Sequence, residues 1–469
     1  MSNSSGANLD NVTPAQGFVE QTRALFDRLA DEACAELRSG EELNLNLGAE
    51  DHNYLRFNDS RVRQATAVAQ RHLALTFQAR GRRVVHGFDL SGQADGDAAA
   101  IRSLIARARA ETRVLPEDPF LVPMANNGTS AGQHRGEMPD AAAAIEHIAA
   151  TTAGTDFTGF LAAGPQIRAT RNSAGQNHWF ATDSFFLDYS LYTVNASGEN
   201  KAVKGLYAGR RWEPERCAAS IAASRAQLQP LRRDSRALPP GGYRVYFAPA
   251  AVADLVGMFS WGAVSHGAWK KGDSALRKLI EGEAEFSPLF DLAENFALGL
   301  SPPFNSLGEV APRHIPIIER GKLKNLLVSA RSAKEYGAVS NAAEPEGWTG
   351  EYLRSPEVGA GELPETQALQ ALGTGLYVGN LHYLNWSDTQ NARVTGMTRY
   401  ACFWVENGDI VAPIRDLRFD ESLYHVFGSE LAALTRETSV QVSTDTYGRR
   451  SLGGSKVPGV LVREFRFTL

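Results

Sequence analysis

The stretch FSWGAVSHGAWKKGD, residues 259–273, carries one histidine, His266, on an apolar run and is followed at once by Lys270, Lys271 and Asp273. A helix with an imidazole on one face raises the chemistry of metal binding. Catalytic zinc, however, takes about three protein ligands and leaves a position for water. Trp261 offers no lone pair and Gly262 offers no side chain, so His266 stands alone in this segment. Three roles stay open for it: a structural or capping group before Gly267, a group lining a cavity, or a ligand completed by residues distant in sequence. At a helix end the macrodipole would favour its charged form, and Lys270 and Lys271 would oppose it. His178, His314, His382 and His425, with Glu283, Glu285 and Asp291, are the candidate distant ligands.

Other reactive side chains give weaker signals. Cys34, Cys217 and Cys402 are far apart with no CxxC spacing, which excludes a disulfide framework and a thiolate zinc knuckle and suits a reducing compartment. Cys402, within RYACFWVENG, reads as a small buried hydrophobe. No Gly-x-Ser-x-Gly elbow and no phosphate-cradling glycine motif is present. The formal net charge of −5 gives no basic stripe for nucleic acid. No apolar run reaches membrane-spanning length. The first residues lack a basic and then apolar leader, and they read as a mobile start.

The elements that must position these groups follow from periodicity. Phe18, Leu25, Leu29, Cys34 and Leu37 predict a first amphipathic helix. EELNLNLGAED alternates Leu43, Leu45 and Leu47 with polar residues, as a strand with one wet face does. Further strands are expected in YLRFNDSRVRQA and HLALTFQARGRRVVHGFDLS, with turns at Asn58-Asp59 and Gly81. Helices are expected at 97–111, capped by Asp97, at 140–150 and in RCAASIAASRAQ, with a strand pair over 160–194. The stretch 115–140 reads as a long surface loop. A strand at 243–250 should feed a helix from about Ala251, and Arg320-Gly321 and Asn407-Gly408 mark hairpins. NLHYLNW reads as a strand with His382 on one face and Tyr383 on the other. These elements make an α+β fold, helices packed on largely antiparallel sheets. Two domains are expected, 1–235 and 236–469, with the break in LQPLRRDSRALPPGG.

GMTRYACFWVENGDIVAPIRDLRFDESL, preceded by GTGLYVGNLHYLNWSDTQNARVTG, resembles the carboxy-terminal part of the TldD/PmbA (TldD/TldE) family of zinc metallopeptidases. NSAG at 172–175, EGEAEFSPLFDLAEN and ERGKLKNLLVSARSAKEYG extend the resemblance. It implies a helix bearing HExxxH, with two histidines for zinc, a glutamate as base and a cysteine near the carboxy-terminus. Laid on this chain, that motif falls on WGAVSH, with Trp261 for the first histidine, Gly262 for the glutamate and His266 retained. The matching later stretch, 444–459, has no cysteine.

The resemblance is therefore to the metal-free TldE/PmbA-like branch, and it implies a non-catalytic subunit with no cofactor of its own. Its partner would be a second copy or a zinc-bearing TldD-like relative, and peptides or flexible protein segments would be the substrate, in the cytoplasm. His382, Tyr383, Asn385 and Asn407 are candidates for a cavity or an interface. Strand edges could take an extended peptide by main-chain hydrogen bonding, with 125–136 and 340–360 as rims. An autonomous metallopeptidase with a relocated metal site, and a stand-alone peptide-binding or structural protein, are the alternatives.

Overall fold

A computed structural model describes residues 14–345 and 349–468. The amino-terminal stretch expected to be mobile lies outside them, apart from its last few residues. The first half opens with helix α1 (Pro14–Ala35) and three long strands, β1 (Glu41–Asn58), β2 (Arg61–Ala79) and β3 (Arg82–Asp89). Helix α2 (Ala94–Glu111), strand β4 (Thr129–His134) and helix α3 (Ala141–Thr152) follow. Strands β5 (Asp156–Asn172), β6 (Asn177–Val194) and β7 (Asn200–Gly209) and helix α4 (Pro214–Leu231) complete it. The strands form one sheet in the order β3-β2-β1-β5-β6-β4, with β7 also paired to β6.

Period-two alternation along β1 gives the sheet two unlike faces. Leu43, Leu45, Leu47, Leu55 and Phe57 pack under the helices, against Phe26 and Leu29 of α1, Ile101 of α2 and Ile148 of α3 in two adjoining clusters. The other face carries Asn44, Glu50, His52, Gln166 and Thr170, all buried. The face expected to be wet is thus polar but covered. Asn44 Nδ2 donates to Ser306 O at 3.1 Å, and Gln166 Nε2 donates to Arg450 O at 2.9 Å. Residues from the second half of the chain therefore satisfy polar groups that burial would otherwise penalise.

Three local expectations are corrected. EELNLNLGAED and YLRFN are one continuous strand, β1, held extended by its pairing with β2 from Glu41 to Asn58. The stretch 115–140 is not merely a loop, since it contains β4, paired parallel to β6. Asp97 lies inside α2 rather than at its cap, and reaches back to accept Ser91 N at 2.8 Å and Gly92 N at 3.0 Å.

The second half begins with β8 (Gly241–Phe247) and α5 (Pro249–Gly257), then the short helices α6 (His266–Lys271) and α7 (Arg277–Ile280). It continues through β9 (Leu292–Asn295), β10 (His314–Glu319), β11 (Lys322–Leu323), α8 (Ala330–Tyr336), β12 (Pro356–Val358) and α9 (Ala368–Leu372). The last strands are β13 (Gly375–Asp388), β14 (Arg393–Glu406), β15 (Asp409–Pro413), β16 (Arg418–Ser422), β17 (Leu431–Val442) and β18 (Gly454–Phe467). They build an eleven-stranded sheet in which β8 pairs both β13 and β18. Strands β18, β16, β14, β13 and β8 consequently close a ring around Phe247, Phe419 and Phe465. Asn407 and Gly408 take φ of 52° and 88°, as a tight two-residue hairpin requires, and Arg320 and Gly321 take 50° and 76°.

Candidate functional site

A cavity of about 820 Å³ lies between the polar face of the first sheet and helix α5. Asn46 and Gly48 of β1, His72 of β2 and Arg168 of β5 form one wall. Ala250, Ala253, Asp254 and Gly257 form another, a spacing that puts them on one face of α5, with Ser260 just beyond. Tyr352, Arg354 and Arg449 close the remaining sides. Pro249 opens α5 at a position that needs no backbone N–H.

Asp254 is the one carboxyl on that helical face. Its Oδ2 accepts Leu381 N at 3.2 Å, and burial pushes its pKa up to about 7. On the sheet side, Glu50 accepts Gln70 Nε2 at 2.5 Å, Tyr54 Oη at 3.1 Å and Arg450 N at 2.7 Å. His52 beside it is held down to about 3 by burial and by the charge of Arg450, so its ring is neutral.

The segment 259–273 is not one helix. Helix α5 ends at Gly257, a single 3₁₀ turn covers Met258–Ser260, and the chain then reverses before α6. Gly262 is the physical reason, because its φ of 81° lies in the left-handed region and breaks a right-handed helix. His266 is accordingly the first residue of α6, not the end of a helix. There the dipole disfavours an imidazolium, contrary to the expectation from Gly267. Burial and Lys270 lower the pKa of His266 against the opposing pull of Glu351. Its ring packs edge-on to Trp269 and Tyr336, and its backbone N donates to Leu327 O at 2.9 Å. Trp261 is 47% exposed and its carbonyl accepts Trp386 Nε1 at 3.1 Å. None of Trp261, Gly262 and His266 lines the cavity.

Hydrogen bonds tie that segment to the rest of the fold. Ser265 caps α6 by accepting Ala268 N at 3.0 Å and also donates to Glu351. The Glu351 carboxylate, 2% exposed, accepts Gly267 N at 3.2 Å, Ser329 N at 3.2 Å and Ser329 Oγ at 2.8 Å, as well as the Ser332 hydroxyl. One carboxylate thus ties the N-termini of α6 and α8 together. Burial works against its charge, yet these hydrogen bonds hold its pKa below the ordinary value.

The other candidates are scattered. The alternation of NLHYLNW is broken at Tyr383, whose φ is 57°, and the pairing of β13 with β14 slips between His382 and Asn385. The rings of His382 and Tyr383 therefore meet at 4.6 Å instead of facing opposite ways. Asn385 Oδ1 accepts Trp386 N at 2.8 Å, and Asn407 sits at the opposite end of the hairpin, next to Thr374. None of these four lines the cavity. Of the expected rims, 340–360 contributes Glu344, Tyr352 and Arg354 to it, whereas 125–136 contributes nothing. Cys402 is buried, with its thiol pushed up to about 11.

The cavity's own groups, Arg168, Asp254, Tyr352 and Arg449, were not singled out from sequence. The available signal was the polar half of the β1 alternation, which marks a face needing polar partners. Among the described residues, no group of three or more His, Cys, Asp or Glu side chains could hold a metal ion. Zinc requires such a set, and a lone carboxyl on α5 does not fit it.

This two-sheet α+β fold has known relatives. Residues 240–469 match the model of the PmbA/TldA metallopeptidase C-terminal domain. The metalloprotease PmbA homolog of Haemophilus influenzae is 25% identical over 251 residues, 52% of this chain and 51% of that protein, so the chain spans about half the length of the curated relative it matches. TldE from Thermococcus kodakarensis has the same fold, with a TM-score of 0.76 at 13% identity over 95% of this chain and 100% of that one. A protein of Thermotoga maritima described as a modulator of a DNA gyrase gives 0.74 at 14% identity, over 95% and 100%. One of Bacteroides thetaiotaomicron, described as a modulator of DNA gyrase, gives 0.70 at 14%, over 97% and 99%. The carboxy-terminal part of the chain, residues 240–469, belongs to the TldD/PmbA family of metallopeptidase-related proteins.

Proposed function

We propose that this chain is a non-catalytic subunit of a TldD/TldE-like metallopeptidase complex and admits peptides or flexible protein segments to the interdomain cavity. The observation that carries this reading is the cavity-facing side of α5, which presents Ala250, Ala253 and Gly257 around one carboxyl, Asp254. Small side chains there leave room for substrate and supply no donors. In this reading the degeneracy of the site resides on that face of α5, and Trp261, Gly262 and His266 shape the turn that follows it. The two domains, 1–235 and 236–469, are supported by each sheet drawing its strands from one half of the chain. Three free cysteines support a cytoplasmic setting. The partner is a zinc-bearing relative, which would supply the water-activating ion this donor set cannot hold.

The test is metal analysis and hydrolysis of an unstructured peptide by the purified chain, alone and mixed with a relative carrying intact HExxxH. The expected result is hydrolysis in the mixture at a rate above that of the relative alone, with no stoichiometric zinc in this chain. Stoichiometric zinc with hydrolysis by the isolated chain would overturn the assignment.

A further inference from the structure

Two guanidinium groups, those of Arg168 and Arg449, meet where the sheet wall of the cavity adjoins the loop that closes it. Arg168 and Gly48 are directly opposite across β5 and β1. The Arg449 guanidinium lies flat over Gly48, where a Cβ would meet its Cζ at 3.1 Å. Among the described residues neither arginine has an ion-pair partner within 4 Å. Arg168 donates only to backbone carbonyls, to Ile167 O at 2.8 Å and Arg450 O at 3.5 Å.

The acids nearby are engaged elsewhere. Asp188 pairs with Lys204, Glu344 accepts Ser306 N and its hydroxyl, and Glu50 accepts Gln70 Nε2, Tyr54 Oη and the Arg450 backbone N while its charge reaches Arg168 only from beyond ion-pair distance. Asp254, on α5 across the cavity, accepts the Leu381 amide. Burial and the like charge of Arg449 push Arg168 down to about 10, against the opposing pull of Glu50. Two neighbouring guanidiniums with no carboxylate within ion-pair distance offer charge-assisted donors to an anion that enters the cavity.

We propose that Arg168 and Arg449 form a subsite for a peptide carboxylate, either the chain terminus or an acidic side chain. The proposal rests on the reading that the cavity admits peptide, and it names the group that is held there. Arg449 comes from the loop that crosses the first sheet, so the subsite exists only when the two halves of the chain are docked. Gly48 is part of the device, because any larger residue would lift the guanidinium off the sheet.

The test is calorimetric titration of the full chain with a short peptide of Ala, Val and Ser as free acid, as terminal amide, and as an amide containing one Glu. The free acid should bind about tenfold or more tighter than the plain amide, as a charge-assisted pair predicts. Arg449→Gln, on a half-exposed loop, and Arg168→Met should each abolish that preference. Gly48→Val, which alters no charge, should reduce it. Recovery of affinity by the Glu-containing amide would support the subsite and identify a side-chain carboxylate as its ligand. Equal affinity for all three peptides would overturn the carboxylate subsite and leave peptide entry standing. No binding of any of them would overturn both.

Discussion

Glu294 of β9 is 2% exposed, and its carboxyl accepts Arg354 N at 2.7 Å as well as the amide of Ser355. Burial outweighs these bonds and the charge of Arg354, and pushes its pKa up to about 7. A carboxyl that binds its proton more tightly when folded stabilises the fold most below its ordinary value near 4.5, and loses that contribution as pH rises through 7. The size is about 3 kcal/mol at 1.36 kcal/mol per pKa unit. His52 has the opposite sign: its pKa is depressed to about 3, so its contribution is present above 6.5 and lost on acidification. A difference measurement separates them. Urea unfolding of wild type and Glu294→Gln between pH 4.5 and 7.5 should give curves that converge or cross as pH rises, because only the wild type loses this term. Parallel curves would show that Glu294 ionises normally.

At the scale of elements, Glu351 is the hub from which the segment around His266 takes its shape. Glu351→Ala would leave the hydroxyls of Ser265, Ser329 and Ser332 and two backbone amides without their acceptor inside the protein. The expected loss is about 3 kcal/mol or more by chemical denaturation, with a smaller loss for Glu351→Gln, which keeps one acceptor oxygen. A loss below about 1 kcal/mol for the alanine variant would show that water replaces the carboxylate. None of this was legible in FSWGAVSHGAWKKGD, because Glu351 lies 85 residues from His266. Strong local signals were legible: the long helices α1, α2 and α4, the hairpin at Asn407-Gly408, and the alternation of β1. The break at Gly262 was open to reading as well, since a glycine within an apolar helical run is a point of interruption. The apolar period on both sides outweighed it. The cavity was not legible, because Arg168, Asp254 and Arg449 come from three distant stretches that only the docking of two sheets unites.

That docking is the feature on which the whole molecule depends, and its chemistry is polar. The loop between β17 and β18 lays Gly448, Arg449 and Arg450 across the buried face of the first sheet. Gly448 O accepts Gln70 Nε2 at 2.9 Å, Arg450 N donates to Glu50, and Arg450 Nη1 donates to Ser184 O at 2.7 Å. The Arg450 guanidinium also stacks over Phe186 at 4.9 Å. Elsewhere the halves meet through apolar contact, with Ala401 and Phe403 of β14 entering the cluster around Phe157 and Phe185. Loss of a polar contact should therefore loosen this loop before it separates the halves. Glu50→Ala removes the acceptor shared by Gln70, Tyr54 and the Arg450 amide, so the loop should open locally while the apolar contact persists. Trypsin under native conditions reads this directly, because the two arginines are its cleavage sites and must leave the sheet to enter a protease. The variant should be cut after Arg449 or Arg450 about tenfold faster than wild type, the effect of roughly 1.4 kcal/mol in opening free energy. Cleavage at an unchanged rate would mean that the loop is held by Arg450 and its carbonyl partners alone, and that Glu50 serves the first sheet rather than the junction.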